Sequence, residues 1–181
     1  MARQKKRLLI VDGYNVLNAW QGAGMRGRTG EDIAEARDRL IARLEDYAGY
    51  SGQRIIVVFD AWQSDRKTRT VERSGMLEIV FTQHGETADH YIERLCDELA
   101  EDVALRRVEL RVATSDLVEQ TIAFGRGAVR LSSRELLMEM DRAVSERGGR
   151  ASSSGSRSVP LVERLPGGVR ARLEKMRRGE Y

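Results

Sequence analysis

Five short apolar runs, separated by longer and more polar segments, dominate the pattern of the sequence. They are residues 8–12 (LLIVD), 54–60 (RIIVVFD), 77–82 (LEIVFT), 108–114 (VELRVAT) and 127–131 (GAVRL). Continuous apolar runs of this length are typical of strands that are buried on both faces, as in a parallel sheet. We therefore predict a central, mostly parallel sheet of about five strands.

Segments of helical periodicity lie between these runs. Helices are predicted over residues 31–48, from Thr87 to about residue 102, over residues 116–124, and from Ser132 or Ser133 to about residue 146. Residues 13–30 and 61–76 are rich in glycine or polar groups and are predicted to be loops. Strands that alternate with helices indicate right-handed βαβ units. The predicted fold class is therefore α/β, as a three-layer α/β/α sandwich.

Charge divides the chain into three parts. Residues 1–7 carry four basic groups and no acid, and residues 147–181 carry nine basic and three acidic groups. Because the whole chain has a net charge of +3, residues 8–146 carry −7. We predict a basic leader (1–7), one α/β domain (8–146), and a Gly/Ser-rich linker with a basic C-terminal tail (147–181). Basic ends attract a phosphate backbone, although they are also common as solubilising termini.

Cysteine usage and hydropathy indicate a reducing, cytoplasmic location. The one cysteine, Cys96, has no disulfide partner, and it shares a predicted helical face with Ile92, Leu95 and Leu99. We therefore expect a buried thiol. The apolar stretch that follows the basic start is too short for a signal peptide, and no run approaches membrane-spanning length. The glycine motifs of nucleotide-binding folds are also missing, so no organic cofactor is expected.

Four aspartates occupy the positions that such a sheet would bring together. Asp12, Asp60 and Asp116 end or closely follow apolar runs, and Asp89 begins a predicted helix. Ligands of open α/β sheets bind outside the carboxyl ends of the strands. Carboxylates this close stay ionised together only around a cation. We therefore predict a Mg²⁺ or Mn²⁺ site, with metal-activated water that attacks a phosphodiester.

Polar neighbours of these aspartates complete the predicted site. Asn15, in VDGYN, and Ser115, in VATSD, are predicted to orient water or phosphate, and Thr114 is predicted to contact phosphate. Glu86, in GETAD, is predicted to contribute to the metal site together with Asp60. Each acid taken alone is also explained as a helix cap or an Asx turn, so it is their joint occurrence that favours a site.

Substrate contacts are predicted from aromatic and basic residues near the same edge. Tyr14, Trp20 and Trp62 suit stacking on an unpaired base, or else cover the end of the sheet. The predicted loop 61–76 also supplies four basic side chains, which are Arg66, Lys67, Arg69 and Arg73. The pattern predicts a single-stranded nucleic acid as substrate, with the basic tail as a second contact. A non-catalytic RNA- or ribosome-binding module stays open as the alternative. A HAD-type phosphatase fits less well, because VDGYN has no second aspartate two residues after Asp12.

Several stretches resemble the YacP-like branch of the NYN family, within the PIN-like ribonuclease group. The matching stretches are LLIVDGYNVLNAW, EARDRLIARLEDYAGYSGQRIIVVFDA, LEIVFTQHGETAD and VATSDLVEQTIAFGRGAVRLSSREL, in family order. The resemblance implies a PIN-like domain with metal-dependent endoribonuclease activity. By motif, it implies an acidic core of Asp12, Asp89 and Asp116, with Asn15 and Asp60 close by. It also implies mRNA as the substrate and a link to ribosome-associated mRNA decay.

Overall fold

The computed structural model describes residues 5–22, 33–61, 67–115 and 127–153, without the side chains of 21–22 and 149–153. The strands in this part of the chain are β1 (Lys6–Asp12), β2 (Arg54–Phe59), β3 (Thr70–Ser74), β4 (Leu77–Phe81), β5 (Val108–Ala113) and β6 (Val129–Leu131). The helices are α1 (Gly13–Gly22), α2 (Ile33–Ser51), α3 (Ala88–Ala104) and α4 (Ser133–Ser153). The chain divides into two units, Met1–Ala143 and Val144–Tyr181, and the sheet belongs to the first.

The strands form one sheet in the order β3-β4-β2-β1-β5-β6. All neighbouring pairs are parallel except β3–β4, which is antiparallel. The predicted α/β fold is thus confirmed, with one strand more than expected. The additional strand, β3, lies in the segment predicted to be a loop. Its sequence TVERS carries no apolar run, because it lies at the edge of the sheet and its side chains are mostly exposed.

Alternate side chains of the strands form two cores, one on each face of the sheet. On one face, Leu9, Val11 and Val57 pack with buried residues of α1, α2 and α4. On the other face, Leu8, Ile10 and neighbouring strand residues pack with α3. Cys96 lies in this second core, and its buried thiol is as expected. This is the α/β/α layering that alternating strands and helices predicted.

Helix α1 corrects the prediction that residues 13–30 form a loop, because residues 13–22 are helical. It begins directly after β1, and its first residue explains the tight connection. A Cβ atom on Gly13 would lie 2.3 Å from Cε1 of Phe59, a ring that is fully buried. Glycine is therefore required there so that the helix can start against the β2 side chain.

Helix α4 also differs from the sequence prediction, since it continues to Ser153 rather than ending near residue 146. The two glycines at 148 and 149 resemble the start of a linker in the sequence. A glycine costs a helix interior only about 1 kcal/mol relative to alanine, so it need not end a helix. None of the helices in the described part of the chain is both long and apolar enough to cross a membrane.

Candidate active site

Acidic side chains from three elements meet at the carboxyl edge of the sheet. Asp12 is the last residue of β1, Asp60 directly follows β2, and Asp89 lies in the first turn of α3. Strands β1 and β2 are parallel neighbours, with Asp12 paired in register with Val58, so both aspartates leave the sheet at the same edge. The charges of Asp60 and Asp89 both raise the pKa of Asp12, as expected for acids at one edge of the sheet.

Asp12 is held in place by Asn15 of the same segment. Its Oδ1 accepts a hydrogen bond from the backbone N–H of Asn15 at 3.0 Å, and its Oδ2 accepts one from Asn15 Nδ2 at 2.6 Å. The first of these bonds is that of a helix N-cap, so Asp12 also starts α1. The capping explanation of this aspartate is therefore correct, and it leaves the carboxylate lone pairs that a cation could use.

Asn15 also connects β1 to β5. Its Nδ2 lies 3.3 Å from Oγ1 of Thr114, which is fully buried directly after β5. After β1 the chain builds β2, β3 and β4 on one side, and β5 then returns to the other side of β1. The gap between β1 and β5 is thus the point where strand order reverses, which is where open α/β sheets bind ligands. Asn15 spans this gap.

Burial and neighbouring charge oppose the ionisation of Asp12. Burial raises its pKa, the hydrogen bonds from Asn15 partly offset this rise, and the charges of Asp89 and Asp60 add to it. Only 5% of its surface is exposed. Among the described residues, an ionised Asp12 is therefore short of compensating positive charge, which is the condition that a bound cation would relieve.

Asp60 links the end of β2 to the start of α3. Its Oδ1 accepts a hydrogen bond from the backbone N–H of Ala88 at 2.6 Å. Burial raises the pKa of Asp60, the bond from Ala88 lowers it, and the charge of Asp89 raises it again. Thr82 supports this corner, because its buried Oγ1 accepts the N–H of Ala61 at 2.9 Å. Sequence reasoning did not single out Thr82, although it directly follows β4 at the same edge.

A pocket of about 280 Å³ opens beside Asp60. It is bounded by the residues that follow β2 and by the loop between β4 and α3, namely Asp60, Ala61, Gln83, His84, Gly85, Glu86 and Thr87. Its size is just below the lower end of the range for small-ligand pockets. The candidate site is therefore an acidic strand edge with an adjoining recess.

This geometry has counterparts among known proteins. A family model described as the YacP-like NYN domain matches residues 9–178. The chain belongs to the YacP-like NYN family. It is 38% identical over 179 residues to "Uncharacterized protein YacP" of Bacillus subtilis (strain 168), which covers 96% of this chain and 98% of that protein.

Two crystal structures of Rae1 (YacP) from Bacillus subtilis are similar to the NYN domain described above. One, at 36% identity, covers 96% of this chain and 95% of that chain, with a TM-score of 0.61. The other, of a point mutant at 35% identity, covers 94% of this chain and 99% of that chain, with a TM-score of 0.62. The NYN domain has a PIN-like fold and belongs to a nuclease superfamily.

Other residues predicted for the site are placed differently in the NYN domain. Glu86 was predicted to contribute to the metal site, but both its oxygens are engaged by the Arg69 guanidinium, and Arg94 adds a third contact. Burial opposes ionisation of Glu86, yet the bonds from Arg69 and Arg94 outweigh it and hold its pKa below the ordinary value. The two arginines compensate the charge of Glu86, so this carboxylate differs from Asp12 and Asp60 and is a poor candidate for a metal ligand.

Arg73 lies at the opposite edge of the sheet from the acids. It is on β3, where its Nε lies 3.0 Å from Oε2 of Glu78, and Arg54, the first residue of β2, pairs with the same oxygen. Since Asp60 follows the other end of β2, the structure does not bring Arg73 to the candidate site. The prediction that Arg73 contacts substrate there is therefore corrected.

Two of the aromatic residues predicted to contact the substrate, Tyr14 and Trp20, are partly buried and pack against the core. The Tyr14 ring packs edge-on against Phe59 with 5.3 Å between centroids. Trp20 lies on α1, packs against the core, and has Arg43 4.9 Å above its ring. Lys67 and Ser115 are exposed. Trp62, Arg66 and Asp116, with the predicted helix 116–124, lie outside the described residues.

The donor set suits a hard divalent cation but is incomplete in the described part of the NYN domain. Within residues 5–22, 33–61, 67–115 and 127–153, no three acidic, histidine or cysteine side chains are close enough to hold one ion. Carboxylate oxygens are the protein ligands that Mg²⁺ and Mn²⁺ favour, and two of those present, on Asp12 and Asp60, lack compensating charge. Asp116, which the sequence predicts as a further ligand, follows Thr114 by two residues and lies outside the described residues.

Proposed function

We propose that this NYN domain is an endoribonuclease that cleaves single-stranded RNA with the help of Mg²⁺ or Mn²⁺. The observation that carries the proposal is that Asp12, Asp60 and Asp89 lie at the carboxyl edge of the sheet, next to its switch point, with the pKa of Asp12 and of Asp60 raised. Buried acids with perturbed pKa values are typical of catalytic sites. Membership of a nuclease superfamily supports the same reaction class.

The residues of the chain have distinct roles in this proposal. Asp12, Asp60, Asp89 and Asp116 provide the metal ligands, directly or through water. Asn15 holds Asp12 in one orientation and, with Ser115, orients water or a phosphate oxygen. When bound, Mg²⁺ or Mn²⁺ would lower the pKa of the attacking water and offset negative charge on the phosphate. Products with a 5′-phosphate and a 3′-hydroxyl are expected.

Helix ends contribute positive potential at the same place. Helices α1 and α3 both begin at this edge, at Gly13 and Ala88. The N-terminal N–H groups of a helix carry a partial positive charge that favours anions. Two of these groups, on Asn15 and Ala88, already donate to Asp12 and Asp60. The N-terminal ends of α1 and α3 therefore offset part of the repulsion between the acids and an incoming phosphate.

The substrate class rests on the residues near the pocket and on charge. Lys67 and Arg69 follow the part of the predicted loop that holds Trp62 and Arg66, and the tail is basic. We propose that this region holds single-stranded RNA, because an aromatic ring stacks only on an exposed base. The choice of mRNA and an association with the ribosome, which the family resemblance implies, stay predictions.

The test is cleavage of a labelled single-stranded RNA in Mg²⁺, in Mn²⁺ and in EDTA. We expect cleavage only with divalent metal, and a loss of turnover of roughly two orders of magnitude or more in Asp12→Asn. Asp97→Asn is the matched control, because it removes an exposed carboxylate from the helix that carries Asp89. Full activity in EDTA or in Asp12→Asn contradicts the mechanism. RNA binding without cleavage by the unaltered protein favours the non-catalytic module instead.

A further inference from the structure

Two arginines from different elements share one carboxylate beside the pocket. Arg69 Nε and Nη2 lie 3.1 and 2.5 Å from Oε2 and Oε1 of Glu86, in a bidentate pair. Arg94, on α3, places Nη2 3.0 Å from the same Oε1. The side chain of Glu86 is only 10% exposed, whereas those of Arg69 and Arg94 are 31% and 45% exposed. The carboxylate is therefore covered, and the two guanidiniums face solvent.

The same two guanidiniums also share one aromatic ring. The Cζ atom of Arg69 lies 4.6 Å from the ring centroid of Tyr91, and that of Arg94 lies 4.9 Å from it. Tyr91 is buried on α3 and cannot move aside easily. Stacking on an aromatic face and pairing with a carboxylate both restrict an arginine side chain. Glu86 and Tyr91 thus hold two like charges next to each other. Oε1 of Glu98, an exposed side chain, lies 3.9 Å from Nε of Arg94, so the two arginines and two carboxylates together carry no net charge.

This cluster adjoins the candidate active site. Glu86 and Asp60 line the same pocket, and Ala88, two residues after Glu86, donates to Asp60. A residue spacing of two corresponds to at most about 7 Å of chain, so the backbone at Glu86 is close to the residue that binds Asp60. The arginines that contact Glu86 are thus the basic side chains that the structure ties to this side of the candidate active site.

We infer that Arg69 and Arg94 form a phosphate-binding site for the RNA backbone next to the cleaved bond, and that Glu86 and Tyr91 are positioning residues that hold the two guanidiniums. A guanidinium has five N–H donors in a fixed fork, and the bidentate contact with Glu86 uses two of those on Arg69. Donors thus remain for phosphate oxygens. The inference rests on the proposed function, which gives the position of the cleaved bond along the RNA. Binding of phosphate at this site can nevertheless be tested without cleavage.

The molecule contains its own matched control for this cluster. Arg54 and Arg73 share Glu78 in the same two-to-one arrangement, and all three residues line a separate pocket of about 400 Å³. This second cluster lies at the amino edge of the parallel strands. If the affinity for RNA depends only on net charge, or on breaking an ion pair, substitutions at both clusters should lower it equally. If it depends on where the arginine lies, only substitutions of Arg69 and Arg94 should lower it.

The experiment measures the affinity of a fluorescent single-stranded RNA by anisotropy in Mg²⁺ at several salt concentrations. Every protein carries Asp12→Asn, so that the RNA stays intact. We expect Arg94→Ala and Arg69→Ala each to weaken binding by about tenfold and to reduce the salt slope by about 0.7. Arg94→Lys keeps the charge but not the fork, and we expect it to keep the slope while losing part of the affinity. Arg73→Ala is expected to match the parent protein.

Two results overturn the inference. One is parental affinity and salt slope in both Arg69→Ala and Arg94→Ala, with circular dichroism showing that they are folded. The other is an equal loss in Arg73→Ala, which would mean that only net charge matters. A failure of the proposed function looks different, because it appears as absence of cleavage in the unaltered protein. In the cleaving protein, Arg94→Ala should raise KM and leave kcat nearly unchanged.

Discussion

At the scale of single residues, the acids of the candidate site also hold the fold together. Asp12 caps α1 through Asn15, and Asp60 joins β2 to α3 through Ala88. In the sequence, capping and metal binding were alternative explanations of these aspartates. In the structure the two are compatible, because a carboxylate that accepts one hydrogen bond at each oxygen keeps further lone pairs. The fold therefore fixes the orientation of the acids before any ligand binds.

The sequence could locate some of these residues and not others. Asp12 and Asp60 each terminate an apolar run, so their place at the strand edge followed from strand prediction. Arg69 and Glu86 are 17 positions apart, and they meet because β3 folds back on β4. No local sequence pattern predicts β3, because its residues are mostly polar. The pairing of Glu86 with arginine therefore could not be predicted. The location of Arg73 on β3, where it pairs with Glu78, could not be predicted for the same reason.

The raised pKa of Asp60 predicts how a substitution changes stability with pH. Burial holds this pKa above its ordinary value, so the folded state binds the proton more tightly than the unfolded state. The stability cost is absent below the ordinary pKa, grows as the pH rises to the folded pKa, and is complete above it. Asparagine keeps an oxygen for the Ala88 N–H. Without divalent metal, we therefore expect Asp60→Asn to raise Tm by a few degrees at pH 7.

Thermal unfolding in EDTA at a series of pH values checks this expectation. The difference in Tm between Asp60→Asn and the parent protein should shrink towards zero as the pH falls to about 4, the range of ordinary carboxyl pKa values. A lower Tm for Asp60→Asn at neutral pH would contradict it. In that case the hydrogen bond from Ala88 to the ionised carboxylate would stabilise the fold by more than burial of the charge destabilises it.

At the scale of elements, prediction succeeded where apolar residues are concentrated. Strands β1 and β2 were found because their buried residues form uninterrupted apolar runs. Strands β4 and β5 were found although Glu78, Glu109 and Arg111 interrupt their runs. Strand β3 is a polar edge strand and carries no such signal. Helix α1 was missed because its glycine start looks like a turn in sequence. Only the tertiary contact with Phe59 shows that Gly13 serves packing.

That contact predicts opposite effects for two glycine substitutions. In Gly13→Ala the new Cβ meets Phe59, whose ring also packs against Tyr14 and stacks on Phe81 at 5.6 Å. The ring has little room to move, so we expect a loss of about 1–3 kcal/mol in the free energy of unfolding. Gly49 lies in α2, where a Cβ atom would have no neighbouring atom within 4 Å. Gly49→Ala should therefore be neutral or stabilising by up to about 1 kcal/mol.

Urea unfolding of the two variants measures both effects. Helix propensity alone would stabilise both proteins, so the sign at Gly13 decides whether packing against Phe59 dominates. Equal stabilisation of Gly13→Ala and Gly49→Ala would show that the start of α1 can shift away from β2. In that case the position of Asp12, which caps α1, would be less rigid than its hydrogen bonds suggest.

At the scale of the whole molecule, the order of the strands and the distribution of charge determine the site together. Strand β1 lies between β2 and β5, so Asp12 has Asp60 on one side and Thr114 on the other. Parallel pairing could be predicted from the buried runs, whereas this order could not, because buried strands carry little information about their neighbours. The sheet concentrates negative charge at one edge, while residues 154–181 carry seven basic and three acidic groups.

This asymmetry predicts that the tail contributes to binding of RNA and not to the chemical step. A protein that ends at Ser153, the last residue of α4, keeps every residue assigned to the candidate site. We expect it to bind single-stranded RNA more weakly and with a smaller salt slope, by about 0.7 for each phosphate that the tail no longer neutralises. Cleavage of a short RNA at saturating concentration should proceed at the parental rate.

A second variant, with the seven basic residues of 154–181 changed to glutamine, separates charge from chain length and should behave like the truncated protein. Parental affinity in both variants would assign capture of the RNA to residues 1–153 alone, while a lower rate at saturation would show that the tail acts in the chemical step.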